Sequence, residues 1–94
     1  MEKKIREDLT YCEMIMMKEL LSERGGIVSR DRLSMAAFGE VFNKQNRRID
    51  VRISRLRKKL PLNQDGKSKI KSVSGEGYAY IDDDWLSQHI GQID

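Results

Sequence analysis

Apolar residues recur along this chain at helical spacing in three runs and at strand-like spacing near its C-terminal third. The first run is Met14, Met16, Met17, Leu20 and Leu21, a broad stripe on a helical wheel. It is preceded by Thr10 and, three residues on, Glu13. This capping-box pattern satisfies two orphan amides reciprocally. Gly25-Gly26 is a natural stop, because glycine takes the left-handed C-cap conformation without strain. The spacing predicts a helix over about 11–24, with its methionines as core filler. Ile27-Val28 then leads to Ser29, a good N-cap, with Asp31 where the helix dipole favours an anion. Leu33, Ala36, Ala37 and Phe38 are the expected buried face of a short second helix that Gly39 ends. A polar connection, Glu40 to Asn46, carries Val41 and Phe42 as expected tethers to the core.

The third run is the most regular. Ile49, Ile53, Leu56 and Leu60 fall at i, i+4, i+7 and i+11, one narrow stripe on a helix spanning Arg47 to Leu60. Pro61 cannot extend that helix. After a polar turn, Ile70 and Val73 frame a strand, Gly75-Glu76-Gly77 forms a tight turn, and Tyr78 to Ile81 reads as the returning strand of a hairpin. An acidic tail, Asp82-Asp83-Asp84, precedes Trp85, Leu86, Ile90 and Ile93 at nearly helical spacing. That tail is expected to cover exposed core, with a dimer contact as the alternative, since a bare Trp-Leu-Ile patch is a liability. The expected fold is α+β, a winged helix-turn-helix: a three-helix core with a C-terminal β-hairpin wing and a reduced or absent N-terminal sheet. One domain is expected over 1–94, with a short strand or arm at 1–9, the core at 10–81 and a tail at 82–94.

Charge changes the picture once it is located. The 94 residues carry a net +3, yet between Lys44 and Lys59 eight basic residues face a single acid, Asp50. That segment holds +7 and the remainder −4. Polarity of this kind suits a polyanionic partner. Opposite the apolar stripe of the third helix lie Arg47, Val51, Ser54, Arg55 and Lys58, with Arg48, Arg52 and Lys59 along one flank. Such a helix suits reading of double-stranded DNA. The stripe anchors it, and the arginine fork bonds two guanine acceptors in a groove about 12 Å wide. Arg48, Val51, Arg52 and Arg55 are the candidates for base reading, Val51 against a thymine methyl. Arg47, Ser54, Arg57, Lys58, Lys59, Lys69 and Lys71 are the candidates for phosphate contact. Ser74, Gly75, Gly77 and Tyr78 form the expected wing tip. Arg57, beside the stripe, admits either a structural or a phosphate role. Asp50 is expected to pair with a neighbouring arginine.

Enzyme chemistry finds no constellation here. There is one histidine, His89, expected at the surface, and one cysteine, Cys12, with no metal-ligand spacing, nucleophile elbow or phosphate loop. No cofactor or metal is expected. No run approaches the roughly 18 apolar residues of a membrane span, the start lacks a secretory signal, and one unpaired cysteine suits a reducing cytoplasm. The competing function is a winged-helix module that docks an acidic protein.

Four segments together resemble the OmpR/PhoB-type effector domain of bacterial response regulators. They are Leu9-Thr10-x-x-Glu13, Gly26-Ile27-Val28-Ser29-Arg30-Asp31-x-Leu33, Arg47-Arg48-Ile49-Asp50-Val51-x-Ile53-x-x-Leu56-Arg57-x-Lys59-Leu60, and Ser74-Gly75-Glu76-Gly77-Tyr78. The resemblance runs from about Leu9 to Ile81. It implies a third helix in the major groove, a wing on the adjacent minor groove, direct-repeat sites bound by head-to-tail dimers, and contact with RNA polymerase through the loop 40–46. The chain departs from that family in three ways. Only nine residues precede the first helix, where the family usually has a four-stranded sheet. Ser74 stands where a groove-entering arginine is common. No receiver domain lies within these residues.

Overall fold

A computed structural model describes residues 9–43 and 47–89. The elements run α1 (Tyr11–Ser22), β1 (Ile27–Ser29), α2 (Arg30–Phe38), α3 (Arg48–Lys59), β2 (Ile70–Val73), β3 (Gly77–Tyr80) and α4 (Asp83–His89). The expected N-caps and the Gly39 stop form. The Thr10 hydroxyl accepts from the Glu13 amide at 3.1 Å, and the Glu13 carboxylate accepts from the Thr10 amide at 2.9 Å. Ser29 accepts from the Arg32 amide at 3.1 Å, and Gly39, at φ +69°, closes α2 by donating to the Met35 carbonyl. α3 stops at Leu60, which is extended as a residue before proline must be. α1 ends two residues earlier than its spacing predicted, because Gly25 leaves the helical path at φ +83° and donates to the Tyr80 carbonyl at 3.0 Å. The sheet, not the glycine cap, claims that segment.

The hairpin is part of a larger sheet. β3 lies between β1 and β2, antiparallel to both, with Val28 opposite Tyr78 and Ser72 opposite Tyr78 on the other side. By spacing alone Ile27-Val28 only leads into the Ser29 cap, since three residues are too few to show alternation. The wing's returning strand thereby becomes central, with all four of its residues buried. Gly77 is the close-approach point: a Cβ there would stand 2.1 Å from the Val28 carbonyl oxygen.

The core joins Met16, Met17 and Leu20 of α1, Leu33 of α2, Ile49, Ile53 and Leu56 of α3, and Val28, Ile70, Tyr78 and Tyr80 of the sheet. The α3 stripe is buried throughout, as its spacing predicted. Two expectations fail. Met14 and Leu21 are exposed, because three helices and a small sheet cover only one side of α1. In α2, Ala36, Ala37 and Phe38 are only partly covered, and the fully buried positions are Leu33 and Ser34. Glu13 is 1% exposed, and its carboxylate receives the Lys59 ammonium at 2.7 Å, joining α1 to the last turn of α3. Arg32 joins α2 to α1 through Glu19 at 2.7 Å and Glu23 at 3.0 Å. Phe42 is half-buried and its amide donates to Asp31, so it tethers the loop as expected, whereas Val41 is exposed.

The tail folds as α4. Asp82 caps it through the Trp85 amide at 2.9 Å and pairs with Arg24 at 2.8 Å. Asp83 accepts from the Gln64 amide, and Asn63 donates to the Ile81 carbonyl. The Trp85 indole lies against Gly25, so close that a Cβ there would overlap it. Trp85 and Leu86 thus pack on the body only in part, while Ile90, Ile93 and residues 1–8 of the expected strand or arm at 1–9 lie outside the described residues. Among the described residues no helix is long and apolar enough to cross a membrane, and no group of His, Cys, Asp and Glu is arranged to hold a metal ion.

Two stability measurements check this packing. Gly77→Ala forces a Cβ into backbone at a positive φ and is expected to cost about 3 kcal/mol or more in urea unfolding. Gly75→Ala, where the space is open, is expected to cost only about 1 kcal/mol. Burial alone would raise the Glu13 carboxyl pKa, but hydrogen bonds from Lys59 and Thr10 hold it below the ordinary glutamate value. Its contribution is therefore complete above about pH 4.3 and is lost as pH falls through the lower folded value. Glu13→Gln is expected to flatten the acid limb of the stability profile in that range.

Candidate nucleic-acid interface

Burying one side of α3 presents the other. Val51 is 46% exposed, an apolar side chain set among cations. Arg47, Arg48, Val51, Arg52 and Arg55 line one open groove along the helix. The structure thus brings all four candidate base readers together, with Arg47 beside them. Ser54 and Lys58 are exposed farther along α3.

The cations of α3 fall into two classes. Arg52, Arg55 and Lys58 have no hydrogen-bond or ion-pair partner among the described residues, so their donors are available to a ligand. The others are engaged. Lys59 neutralises buried Glu13. Arg57 donates from Nε to the Ile70 carbonyl at 3.0 Å and from Nη2 to the Ser72 hydroxyl, so it ties α3 to the first wing strand. Of the two roles open to Arg57, the structural one is built. Arg48 pairs with Glu40 at 2.6 Å and lies over the Phe38 ring at 3.9 Å, which draws it toward α2. Arg47 holds a looser contact to Asp50 at 3.6 Å and is 75% exposed. Packing decides this division: the engaged cations lie within reach of Glu13, Glu40, Asp50 or β2.

Asp50 pairs intramolecularly as expected, but its main partner comes from α2. Arg30 Nε donates to it at 2.9 Å, and the Tyr78 hydroxyl donates to the same carboxylate oxygen. Burial alone would raise the Asp50 pKa, yet these bonds hold the carboxyl below the usual range. Burial and the adjacent carboxylate push the Tyr78 phenol up, so it stays a donor at neutral pH. Sequence reading missed Arg30 as a site residue. Its only signal is its place directly after the N-cap of α2, twenty positions from the carboxylate it meets.

In the hairpin, Lys71 is exposed, whereas Lys69 is turned inward. Lys69 is 13% exposed in its side chain, with its ammonium on Asn63 at 2.8 Å and Asp83 at 4.0 Å. The tip consists of Ser74, Gly75 and Glu76, closed by the Glu76 amide on the Val73 carbonyl. Gly77 and Tyr78, grouped with the tip from sequence, lie buried in β3. Cys12 is partly buried, and burial raises its thiol pKa, away from reactivity. His89 is half-buried, stacked on Trp85 at 3.9 Å, and so less exposed than a free surface histidine.

The family description "Transcriptional regulatory protein, C terminal" matches residues 4–80. The transcriptional regulatory protein CpxR of Klebsiella pneumoniae is 36% identical over 74 residues, which are 79% of this chain and 32% of that protein. The chain thus spans about a third of the curated relatives it matches. The crystal structure of the DNA-binding domain of Escherichia coli CpxR superposes with a TM-score of 0.73 at 35% identity, covering 80% of this chain and 74% of that one. The K. pneumoniae RstA DNA-binding domain, crystallised in complex with the RstA box, gives a TM-score of 0.68 at 37% identity over 78% and 72% of the two chains. With a buried stripe on α3, an open basic groove beside it, a wing hairpin and these likenesses, the chain belongs to the OmpR/PhoB-type family of transcriptional regulatory protein C-terminal domains.

Proposed function

We propose that this chain binds double-stranded DNA sequence-specifically as the output domain of a bacterial transcriptional regulator. α3 enters the major groove and the β2–β3 hairpin lies on neighbouring backbone. The observation that carries this is the set of unpartnered donors on the open face of α3: Arg52 and Arg55 beside Val51, with Lys58 beyond them. Unpaired arginines on a rigidly anchored helix are what direct readout of guanine requires. In this reading Arg55, Arg52 and Val51 face bases, while Arg47, Ser54, Lys58 and Lys71 meet phosphates. Arg48 reaches bases only by leaving Glu40. Arg57, Lys59 and Lys69 serve the fold that presents the others.

The wing acts mainly through Lys71, since its tip holds Ser74 and the acid Glu76 where a groove-entering cation would stand. The reading makes residues 10–81 the DNA-binding core and gives the protein a non-catalytic role in the cytoplasm. Head-to-tail pairing on direct repeats, and contact with RNA polymerase through the loop 40–46, follow as parts of the same reading; residues 44–46 of that loop lie outside the described residues.

Selection of duplexes from a random library at about physiological ionic strength tests the proposal, because non-specific binding is already weakened there. An enriched motif is expected. No enrichment, with only salt-sensitive background, would instead favour a module that docks an acidic protein. On the selected duplex, Arg55→Ala is expected to cost about 1–3 kcal/mol and to relax the preference at one position. Lys58→Ala is expected to lower the salt slope by about one. Lys59→Ala separates structure from contact: it should leave the slope unchanged and cost about 2 kcal/mol of folding stability by unpairing Glu13.

A further inference from the structure

Five parts of the fold are linked through one side chain and its two arginine neighbours. The Tyr78 hydroxyl donates to Asp50 in the first turn of α3. Arg30, at the start of α2, donates to the same carboxylate at 2.9 Å and lies over the Tyr78 ring at 4.9 Å. From the third turn of α3, Arg57 lies over that ring at 5.5 Å while holding the Ile70 carbonyl and Ser72 hydroxyl of β2. Arg30 also stands 6.0 Å from the ring of Phe42, in the segment after α2. Tyr78 itself is carried by β3, the central strand. The two surfaces assigned to DNA, α3 and the hairpin, are thus joined by one phenol, which reaches Asp50 in the first turn of α3, and by its two guanidinium neighbours, Arg30 and Arg57.

We propose that Tyr78, held by Asp50 and Arg30, is a positioning residue for sequence reading, setting the angle between α3 and the wing at which both engage one duplex. The inference rests on the DNA-binding reading above. Bidentate base contacts tolerate displacement of only about half an ångström. Non-specific affinity depends on counterion release and is indifferent to a small change of angle. Loosening this joint therefore lowers discrimination selectively. Asp50 has a related part: with its carboxylate taken up by Tyr78 and Arg30, the one acid of the basic segment is neutralised beside the phosphates.

Tyr78→Phe removes only the hydroxyl and keeps the ring beside its two arginines. Arg30→Lys keeps the charge and loses the planar donor. For each variant, three quantities are measured once folding is verified by thermal melting: affinity for the selected duplex, affinity and salt slope on a scrambled duplex, and exchange of the Val51 amide. That amide closes the first turn of α3 on the Arg47 carbonyl. Losing a hydrogen bond to a charged group should lower affinity for the selected duplex about tenfold and speed Val51 exchange about tenfold. Affinity and slope on the scrambled duplex should stay within about twofold of wild type, as an electrostatic term requires. Discrimination unchanged in both variants, or affinities on both duplexes falling together, would overturn the positioning role even with the motif confirmed. Exchange unchanged in both would overturn it as well. If the wild-type protein selects no motif, the DNA reading fails first and this inference falls with it.

Discussion

The burial of Ile49, Ile53 and Leu56 is the constraint on which the remaining structure depends. Those three side chains place a helix crowded with cations directly against the core. Cations close to a low-dielectric interior need partners, and the fold supplies them. Lys59 meets Glu13, a carboxylate that would itself be costly at 1% exposure without the ammonium and the Thr10 cap. Arg57 meets a strand carbonyl. The capping box of α1, the last turn of α3 and the wing's first strand are therefore tied together by the cations that anchoring α3 brings to the core. What is left unpaired after it is solved is the surface available to a polyanion.

That division resolves the +7 of the basic segment into two different kinds of charge. Engaged cations stiffen the platform, and unpaired ones offer donors beyond it. Readout by side chains needs both, because a donor on a mobile helix loses as ordering entropy much of what its hydrogen bonds contribute. The cluster of Asp50, Arg30 and Tyr78 extends the same logic to the wing. It links α2, α3 and β3 through charge-assisted hydrogen bonds, which are shorter and stronger than neutral ones.

The end of the described chain follows its own route. The family match stops at residue 80, yet Asp82, Asp83 and Trp85 bind the residues after it to the α1–β1 turn and to the segment before β2. Lys69 is drawn into that arrangement through Asn63 and Asp83. The base of the hairpin is thus secured from the side opposite its tip, and a lysine that strand alternation would place on the surface is turned inward.

Much of this protein was legible from local chemistry. The Thr10–Glu13 box, the Ser29 cap, Gly39, Pro61 and the i, i+4, i+7 stripe each act within a few residues, so three helices, a hairpin and a basic face on the third helix follow from the order of residues alone. Covering was less legible. Met14 and Leu21 read as core because amphipathicity reports a preference for burial, while exposure depends on whether another element is there to bury them. β1 was missed because a three-residue strand exists only through its register with β3. Which cations remain unpaired was also decided by tertiary structure alone. Glu13 and Lys59 are 46 positions apart, Arg30 and Asp50 are 20, and Arg57 and Ser72 are 15. Pairings over such separations come from packing distances, which no periodicity along the chain encodes.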